Sequence, residues 1–324
     1  MEPFPAAGRP TPRFKERFKQ FPMLVTTLRI MYDLLLLALR AASHLPFFDL
    51  KLLRRIIFDL AKPNTLLLSA GPAETFVISS SDRMIGRHVY VYKEPYDFDK
   101  MESVFRILGD SRPKMLLIDI GANIGSVCIP AVKRRAFRKA IAVEPEPRNY
   151  SLLSANIHIN GLSDKIVAYN FALGRKDDEQ LLLELSKDNF GDHRVRIHGN
   201  SDLRSDALRE TITVKSETFD KTIKELEPKE SIIWLDTQGF EGHILSGARK
   251  ALQLRPPICL EFWPYGMSRT DSYSLLKKAL IESGYSSFFD LNENGPPVSL
   301  TTASLDRLYE RLQGRDQFTD LLVL

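Results

Sequence analysis

An acid followed by two glycines four residues apart is the feature of this 324-residue chain most suggestive of chemistry. The stretch "LLIDIGANIGS", residues 116–126, contains Asp119, Gly121, Asn123 and Gly125. Apolar residues before the acid predict a buried strand, and the residues after the second glycine predict a helix. Glycine allows backbone angles that a side chain blocks, and asparagine tolerates the left-handed region. A loop of this kind lies beyond the carboxyl end of its strand, where nucleotide-type cofactors bind in α/β domains.

The spacing within this loop separates two classes of cofactor. A dinucleotide fingerprint reads G-x-G-x-x-G, whereas here three residues separate the glycines and an acid precedes them. A carboxylate at Asp119 repels a pyrophosphate and attracts the ammonium of an amino acid, which favours S-adenosylmethionine over a nicotinamide dinucleotide. Glu144, at the end of the next predicted strand, can accept hydrogen bonds from both ribose hydroxyls. Because NAD enzymes also use such an acid, Glu144 alone does not separate the two classes.

Longer stretches of the sequence resemble a known family. "LLIDIGANIGS" with "AVEPEPRNYSLLSANIHINGL" is similar to the class I S-adenosylmethionine-dependent methyltransferases. "IIWLDTQGFEGHILSGARKAL" resembles the FkbM family of O-methyltransferases, whose aspartate, glycine and glutamate correspond here to Asp236, Gly239 and Glu241. The resemblance covers about residues 75–324. It departs from the family at Gln238, where an acid is usual, and at "PYDFDK", where a Tyr-Glu pair is usual.

The resemblance implies a role for each residue of the predicted cofactor site. The loop after the first strand would hold the methionine part of S-adenosylmethionine, and Glu144 would hold the ribose. The segment "NFALG", residues 170–174, would line the adenine pocket. The implied activity is methyl transfer to a hydroxyl of a small metabolite, sugar or glycolipid. The predicted cofactor-binding residues are Asp119, Gly121, Asn123, Gly125, Glu144, Asn170 and Ala172.

A hydroxyl acceptor requires a base, because the cofactor supplies only the reactive methyl group. Asp236, Glu241 and His243 lie at or just after the fourth predicted strand and are the candidate catalytic residues. Asp236 is the first candidate, either as the base or as the group that orients the hydroxyl. The structural alternatives are an N-cap for Asp236, a helix-dipole contact for Glu241 and simple packing for His243. Asp236 and Glu261 lack a third ligand for Mg²⁺, so no metal is expected.

Strand-like and helix-like segments alternate from residue 115 onward. This pattern predicts an α/β fold, a Rossmann-like class I methyltransferase domain with a mostly parallel seven-stranded sheet and helices on both faces. Upstream, "TFVISS" and "HVYVYK" predict strands and "DKMESVFRILG" predicts a helix. Residues 175–215 interrupt the alternation and predict an inserted hairpin and loop over the carboxyl edge, where His193 and His198 are candidates for substrate contact. The predicted strands are "MLLID", residues 139–145, 165–173, 231–236, 257–262 and 286–292, and the terminal "TDLLVL".

The first 73 residues are predicted to lie outside the methyltransferase domain, which we expect to span residues 74–324. Four prolines within the first 12 residues predict a mobile tail over residues 1–22. Apolar residues at helical spacing predict a basic amphipathic extension over residues 23–73. Ten Lys/Arg and five Asp/Glu give residues 1–60 a net charge of +5. This pattern leaves three alternative predictions for residues 23–62: peripheral contact with an anionic membrane, packing as a cap on the main domain, or a homodimer contact.

Composition and charge limit the class of protein to which this chain can belong. The chain is 44% hydrophobic and 27% charged, as in ordinary globular proteins, and its net charge of +4 is small. With no Asp/Asn-Pro-Pro-aromatic element after the fourth strand, we expect no nucleic-acid acceptor. No apolar run approaches the ~20 residues of a membrane span, so a cytoplasmic protein, or one peripheral at the inner membrane surface, is expected. Cys128 and Cys259 are expected to be buried thiols. The rival functions are a non-catalytic methyltransferase-like binding protein and an NAD(P)-dependent oxidoreductase.

Overall fold

In the computed structural model the chain divides into two compact units, residues 1–54 and residues 55–324. The predicted tail over residues 1–22 and His198 lie outside the described residues, as do parts of the predicted extension and of the inserted segment. The domain limits expected from the sequence stay predictions. In the first unit, residues 26–27, 29–34 and 37 are helical. The structure describes residues 26–27, 29–34, 37, 50–109, 114–197, 209–224, 226, 230–293 and 295–324.

Helices and strands follow one another along the described chain in the order expected for an α/β protein. They are α1 (Lys51–Leu60), β1 (Leu66–Ala70), β2 (Thr75–Ser79), α2 (Ile85–Tyr92), α3 (Phe98–Leu108), β3 (Lys114–Ile120), α4 (Cys128–Lys133), β4 (Phe137–Val143), α5 (Pro147–Ile159), β5 (Ile166–Tyr169), β6 (Ala172–Gly174), β7 (Glu179–Glu184), β8 (Arg194–Arg196), β9 (Thr211–Thr218), α6 (Phe219–Thr222), β10 (Ser231–Leu235), α7 (Glu241–Ser246), α8 (Arg249–Gln253), β11 (Ile258–Phe262), α9 (Pro264–Arg269), α10 (Tyr273–Glu282), β12 (Ser287–Asp290), β13 (Val298–Ser299), α11 (Thr302–Arg311) and β14 (Thr319–Val323).

The main sheet has eight strands in the order β13-β12-β14-β11-β10-β3-β4-β5. The five strands from β11 to β5 are parallel, whereas β14 runs antiparallel to both β11 and β12. The predicted α/β class is confirmed, but the sheet contains one strand more than the seven expected. The additional strand, β13, is only two residues long, too short to be recognised from the sequence. The predicted strand over residues 165–173 divides into β5 and β6, which belong to different sheets.

Two apolar cores cover the two faces of the sheet. Along β10, Ile233 and Leu235 pack into one core, whereas Ile232 and Trp234 pack into the other. All five residues of β10 are buried, which explains its continuous apolar sequence. Helices therefore protect both faces, as the alternation of strands and helices predicts. No helix in the described part of the chain is long and apolar enough to span a membrane.

Two predictions upstream of the main sheet are wrong. "HVYVYK" is part of α2, not a strand, although its β-branched and aromatic residues are typical of strands. Asp82 stabilises the start of this helix, because its carboxylate accepts hydrogen bonds from the backbone N–H of Met84 (3.1 Å) and Gly86 (2.7 Å). Within the predicted helical extension, Leu66–Ala70 instead forms β1, which pairs with β2. Pairing with a neighbouring strand has overridden the local pattern.

The segment after β5 forms a second, four-stranded sheet in the order β6-β9-β7-β8. β7 pairs antiparallel with both β8 and β9, so the predicted hairpin is present. Gly174, at the end of β6, packs closely against the neighbouring strand β9, since a Cβ there would come 2.6 Å from Ser216 Oγ. The turn between β7 and β8 reaches the carboxyl edge of the main sheet, where it contributes to the cavity described next.

Candidate active site

A cavity of about 280 Å³ lies at the carboxyl edge of the parallel strands, within the second unit. Its lining has two chemically different parts. We call Asp119, Gly121, Asn123, Glu144 and Ala172 the loop half. We call Asp97, Lys100, Asp236, Glu261 and Asp320 the acid half. All ten of these residues line the cavity, so the topology brings the β3 loop together with acids from the end of β10, from β11 and β14, and from the turn before α3.

The loop after β3 adopts the backbone conformation that its glycines predict. Gly121 has a φ of +87°, and a Cβ at this position would lie 1.8 Å from the backbone oxygen of Asp236. Gly125 has a φ of +90°, and its Cβ would lie 2.5 Å from Ile129 Cδ1. Asn123 occupies the left-handed region with a φ of +50°. Gly121 therefore lets the loop contact the acid half, whereas Gly125 packs against α4 and is not among the described lining residues.

Backbone amides hold both carboxylates of the loop half. Asp119 Oδ2 accepts a hydrogen bond from Cys128 N (3.1 Å). Glu144 Oε2 accepts from Asn123 N, and Oε1 accepts from Glu146 N, each at 2.9 Å. Burial raises the pKa of Asp119 to about 7 and that of Glu144 to about 8. A cationic or hydroxyl-bearing ligand would stabilise these desolvated carboxylates.

The turn between β7 and β8 covers the loop half. The carbonyl oxygen of Phe190 accepts hydrogen bonds from Asn123 Nδ2 (2.8 Å) and Asn149 Nδ2 (2.9 Å). His193 also lines the cavity, and its Nδ1 accepts a hydrogen bond from Ser186 N at 3.0 Å. Burial lowers the pKa of His193 to about 4, so this side chain is neutral at physiological pH. The inserted segment therefore fixes the loop half through hydrogen bonds that no local motif specifies.

The two residues predicted beside the adenine have different positions. Ala172 lines the cavity together with its neighbours Phe171 and Leu173. Asn170 is exposed and is not among the described lining residues. Its Nδ2 donates to the backbone oxygens of Glu144 (2.9 Å) and Pro145 (3.1 Å). Asn170 thus supports the end of β4, from which Glu144 projects.

Parallel pairing places Asp236 beside Glu261. Leu235 of β10 pairs with Leu260 of β11, so the next residue of each strand reaches the same edge. Gln238 Nε2 donates to both carboxylates, at 2.9 Å from Asp236 Oδ1 and 3.1 Å from Glu261 Oε2. A residue with an acidic side chain at position 238 would place a third carboxylate here. The glutamine instead supplies a donor shared by the two acids.

The antiparallel strand β14 completes the acid half. Asp320 is the direct cross-strand partner of Glu261, an arrangement that is destabilising for two charged carboxylates. Lys100 of α3 compensates part of this charge, since its Nζ lies 2.8 Å from Asp320 Oδ2 and 3.2 Å from Asp97 Oδ2. The acid half therefore combines four carboxylates with one ammonium group.

Burial and neighbouring charges shift the pKa values of the titratable groups in the acid half. Desolvation raises the pKa of Asp236 to about 6. Desolvation, reinforced by the negative charge of Asp236, raises the pKa of Glu261 well above its usual range. Although burial lowers the pKa of Lys100, Asp320 and Asp97 raise it by more. With a pKa of about 6, Asp236 is mainly charged at neutral pH. The raised pKa of Glu261 favours its protonated form, and the raised pKa of Lys100 favours its charged form.

Glu241 and His243 lie outside the described cavity lining. Glu241 Oε1 accepts hydrogen bonds from Thr237 N (3.0 Å) and Thr237 Oγ1 (2.8 Å), within its own turn. His243 Nε2 lies 2.6 Å from the backbone oxygen of Thr270, and its ring stacks on Phe240 with centroids 4.3 Å apart. These contacts stabilise the turn that carries Gln238. Among the residues the structure describes, no group of three His, Cys, Asp or Glu side chains could hold a metal ion.

Three lining residues of the acid half were not predicted from the sequence. Asp320 was detectable in principle, because the first residues of an antiparallel strand lie at the edge where parallel strands end. Asp97 and Lys100 belong to "PYDFDK", which the sequence comparison identified only as a departure from the family pattern. Their position beside β14 depends on tertiary packing. The two cysteines, Cys128 and Cys259, are free and buried.

Parts of this sequence match a family model and a curated relative. Residues 119–293, more than half of the chain, match the family model described as the Methyltransferase FkbM domain. Over 61 residues the chain is 39% identical to tRNA(Phe) (4-demethylwyosine(37)-C(7)) aminocarboxypropyltransferase of Pyrococcus horikoshii, a match covering 18% of this chain and 21% of that relative. The chain thus matches about a fifth of the length of this curated relative.

Two solved structures are also similar. Methyltransferase FkbM from Methylobacillus flagellatus KT is 15% identical with a TM-score of 0.41, and the alignment covers 74% of this chain and 52% of that one. P. horikoshii TYW2 in complex with MeSAdo is 16% identical with a TM-score of 0.38, with coverage of 82% and 74%. The match of the family model over more than half of the sequence establishes that this chain belongs to the FkbM family of methyltransferases, whose cofactor is S-adenosylmethionine.

Proposed function

We propose that this protein transfers a methyl group to a hydroxyl of a small-molecule, sugar or glycolipid acceptor. The observation that carries the proposal is the position of Asp236, a half-buried carboxylate that lines the same cavity as the β3 loop. Its pKa of about 6 leaves it charged at neutral pH yet basic enough to accept a proton. A hydroxyl needs such a base, because it is a weak acid.

The loop half fits S-adenosylmethionine better than it fits a dinucleotide. Asp119 is suited to the ammonium of the methionine part, and Glu144 to the two ribose hydroxyls. Among the described lining residues the only cation is Lys100, in the acid half. A pyrophosphate would therefore meet two acidic side chains and no positive charge in the loop half, which argues against the NAD(P) alternative. When bound, S-adenosylmethionine supplies an electrophilic methyl group on a sulfonium.

The acid half would prepare the acceptor. Asp236 accepts the hydroxyl proton as the oxygen becomes a nucleophile. Burial and the negative charge of Asp236 raise the pKa of Glu261, which favours its protonated form, and that form can donate a hydrogen bond to an acceptor oxygen. Gln238 is a positioning residue, because its amide group holds both carboxylates in one orientation. Glu241 and His243 would act through the turn between β10 and α7 and not on the substrate.

The charge of the acid half also bears on the choice of acceptor. The curated relative that matches 61 residues is named for an activity on tRNA(Phe), which makes a nucleic acid the alternative acceptor. Four carboxylates and one lysine would oppose a phosphate group entering this half. This balance favours a neutral or cationic hydroxyl compound over a nucleotide. We accordingly propose a hydroxylated metabolite or glycan without phosphate near its reactive hydroxyl.

A labelling experiment would test the proposal. Purified protein is incubated with S-adenosylmethionine carrying a deuterated methyl group, together with separate cell fractions of small molecules, lipids, glycans and total RNA. Mass spectrometry then locates the label. We expect a labelled methyl ether in the small-molecule, lipid or glycan fraction with the wild type and none with Asp236→Asn. Label on RNA or on nitrogen would overturn the O-methylation proposal. Binding of S-adenosylhomocysteine without any labelled product would support the non-catalytic alternative instead.

A further inference from the structure

A second concavity, of about 630 Å³, lies on the second unit away from the cavity. Residues of α7, α8 and α10 form most of its wall, and Arg175 adds to it from the start of the inserted segment. No described residue lines both concavities. Its residues Arg255 and Ser283 lie just before β11 and β12, which places this end of the groove at the amino edge of those strands. We call this feature the basic groove.

Four exposed cations line the basic groove: Arg175, Arg249, Arg255 and Lys278. The only carboxylate among its described lining residues is Glu282, which lies 3.9 Å from Lys278 Nζ. No carboxylate of the described chain forms an ion pair with any of the three arginines. The guanidinium groups are therefore available to an anion from solution, and their planar donor pattern matches phosphate oxygens.

The floor of the basic groove is apolar. Leu245 and Leu252 are buried, and Leu275 and Ala279 are half-buried beside them. A ligand that fills this space would place an apolar part on these side chains and a phosphate among the arginines. The volume lies within the range of small-molecule pockets, whereas a nucleic-acid backbone tracks a longer basic stripe. These features favour a small ligand.

We propose that the basic groove binds a small organic phosphate, with its phosphate held by Arg249 and Arg255 and its apolar part on Leu245 and Leu252. This site is distinct from the methyl-transfer cavity and does not depend on the acceptor proposed above. Arg249 begins α8 and Arg255 follows its end, so the two guanidinium groups approach the ligand from both ends of one short helix. Because each guanidinium group donates charge-assisted hydrogen bonds to the phosphate, losing both arginines should weaken binding at least tenfold.

Calorimetric titration of the full-length protein with phenyl phosphate would test the site. The titration is done in saturating S-adenosylhomocysteine, so that the probe does not bind in the methyl-transfer cavity. We expect saturable binding to the wild type and binding at least about tenfold weaker to the Arg249→Gln/Arg255→Gln double variant. Inorganic phosphate should bind more weakly than phenyl phosphate, because it makes no contact with the apolar floor. The charge-matched double variant Arg138→Gln/Lys165→Gln, at exposed positions outside both concavities, should bind phenyl phosphate as the wild type does.

Three outcomes would overturn the proposal. The first is absence of saturable binding of phenyl phosphate to the wild type. The second is equal affinity in the Arg249→Gln/Arg255→Gln variant, measured after its thermal unfolding and S-adenosylhomocysteine affinity have been shown to match the wild type. The third is failure of phenyl phosphate to bind while anionic vesicles or single-stranded RNA bind in an arginine-dependent manner. That result would assign the groove to a macromolecular partner instead.

Discussion

The loop half and the acid half of the cavity hold their carboxylates in different ways. In the loop half, backbone amides from the same stretch of chain bind Asp119 and Glu144. In the acid half, the side chains of Gln238 and Lys100 bind the carboxylates of Asp236 and Asp320. Backbone donors are fixed by the fold itself, whereas side-chain donors depend on distant packing and on charge. Substitutions in the loop half should therefore change cofactor affinity, and substitutions in the acid half should change turnover.

The largest expected effect is that of Asp236→Asn. Loss of a general base lowers the rate by about 10²–10⁴-fold, while affinity for S-adenosylhomocysteine should stay unchanged because the loop half is intact. Turnover is followed with the labelled acceptor, and affinity by calorimetry. Glu261→Gln is the matched variant, since a neutral amide resembles the protonated carboxyl group, and it should retain most of the activity. Equal losses in the two variants would show that Asp236 has no distinct role.

Gly121 joins the two halves, so its substitution should damage both. In Gly121→Ala, a left-handed alanine and a Cβ 1.8 Å from the backbone oxygen of Asp236 together should cost about 3 kcal/mol of unfolding free energy. Gly161→Ala is the control, because Gly161 also has a positive φ (+69°) but nothing lies within 4 Å of its Cβ position. That variant should lose only about 1 kcal/mol. Urea denaturation measures the unfolding free energy of the two variants. Similar losses in Gly121→Ala and Gly161→Ala would show that the contact between the two halves is unimportant.

The loop half alone is tested by Glu144→Gln. Replacing one carboxylate oxygen by an amide removes an acceptor for a ribose hydroxyl, so affinity for S-adenosylhomocysteine should fall by about 10- to 100-fold. The neighbouring Glu146 provides a control. Its side chain caps α5 by accepting from Asn149 N at 2.7 Å and does not line the cavity. Glu146→Gln should keep full affinity; a comparable loss there would mean that Glu144 acts only by supporting the loop.

The same contrast explains what the sequence could predict. Most of the loop half lies at the ends of two successive strands, β3 and β4, so local patterns are sufficient to identify Asp119, Gly121 and Glu144. The acid half combines residues more than 200 positions apart, and finding Lys100 and Asp320 requires the order and direction of strands.

The candidate catalytic residues Glu241 and His243 are close to Asp236 in sequence but lie outside the described cavity lining. The chain passes through two left-handed residues, Gln238 (φ +55°) and Gly239 (φ +96°), immediately before α7. This turn directs Gln238 to Asp236 and Glu261, while Glu241 and His243 contact Thr237 and Thr270 instead of the cavity. Apolar periodicity does not reveal such a turn.

The smallest expected effect is a pH dependence of stability that distinguishes the two halves. Burial raises the pKa of Asp119 to about 7 and that of Glu144 to about 8, so the folded protein binds protons that the unfolded chain has released. Unfolding free energy should therefore fall as pH rises from about 7 to about 8.5, by about 1 kcal/mol for a group such as Glu144. The lowered pKa of His193 has the opposite effect on stability, but only below the pKa of about 6.5 that histidine has in the unfolded chain, which is outside this range.

Saturating S-adenosylhomocysteine should flatten this dependence of unfolding free energy on pH, because a ligand at the loop half stabilises its charged carboxylates. The pH dependence is measured by thermal unfolding at about pH 7 and about pH 8.5, for the wild type with and without ligand and for Glu144→Gln. An unchanged slope in the presence of ligand would assign the titration to carboxyl groups outside the loop half, namely Asp236, Glu241 and Glu261.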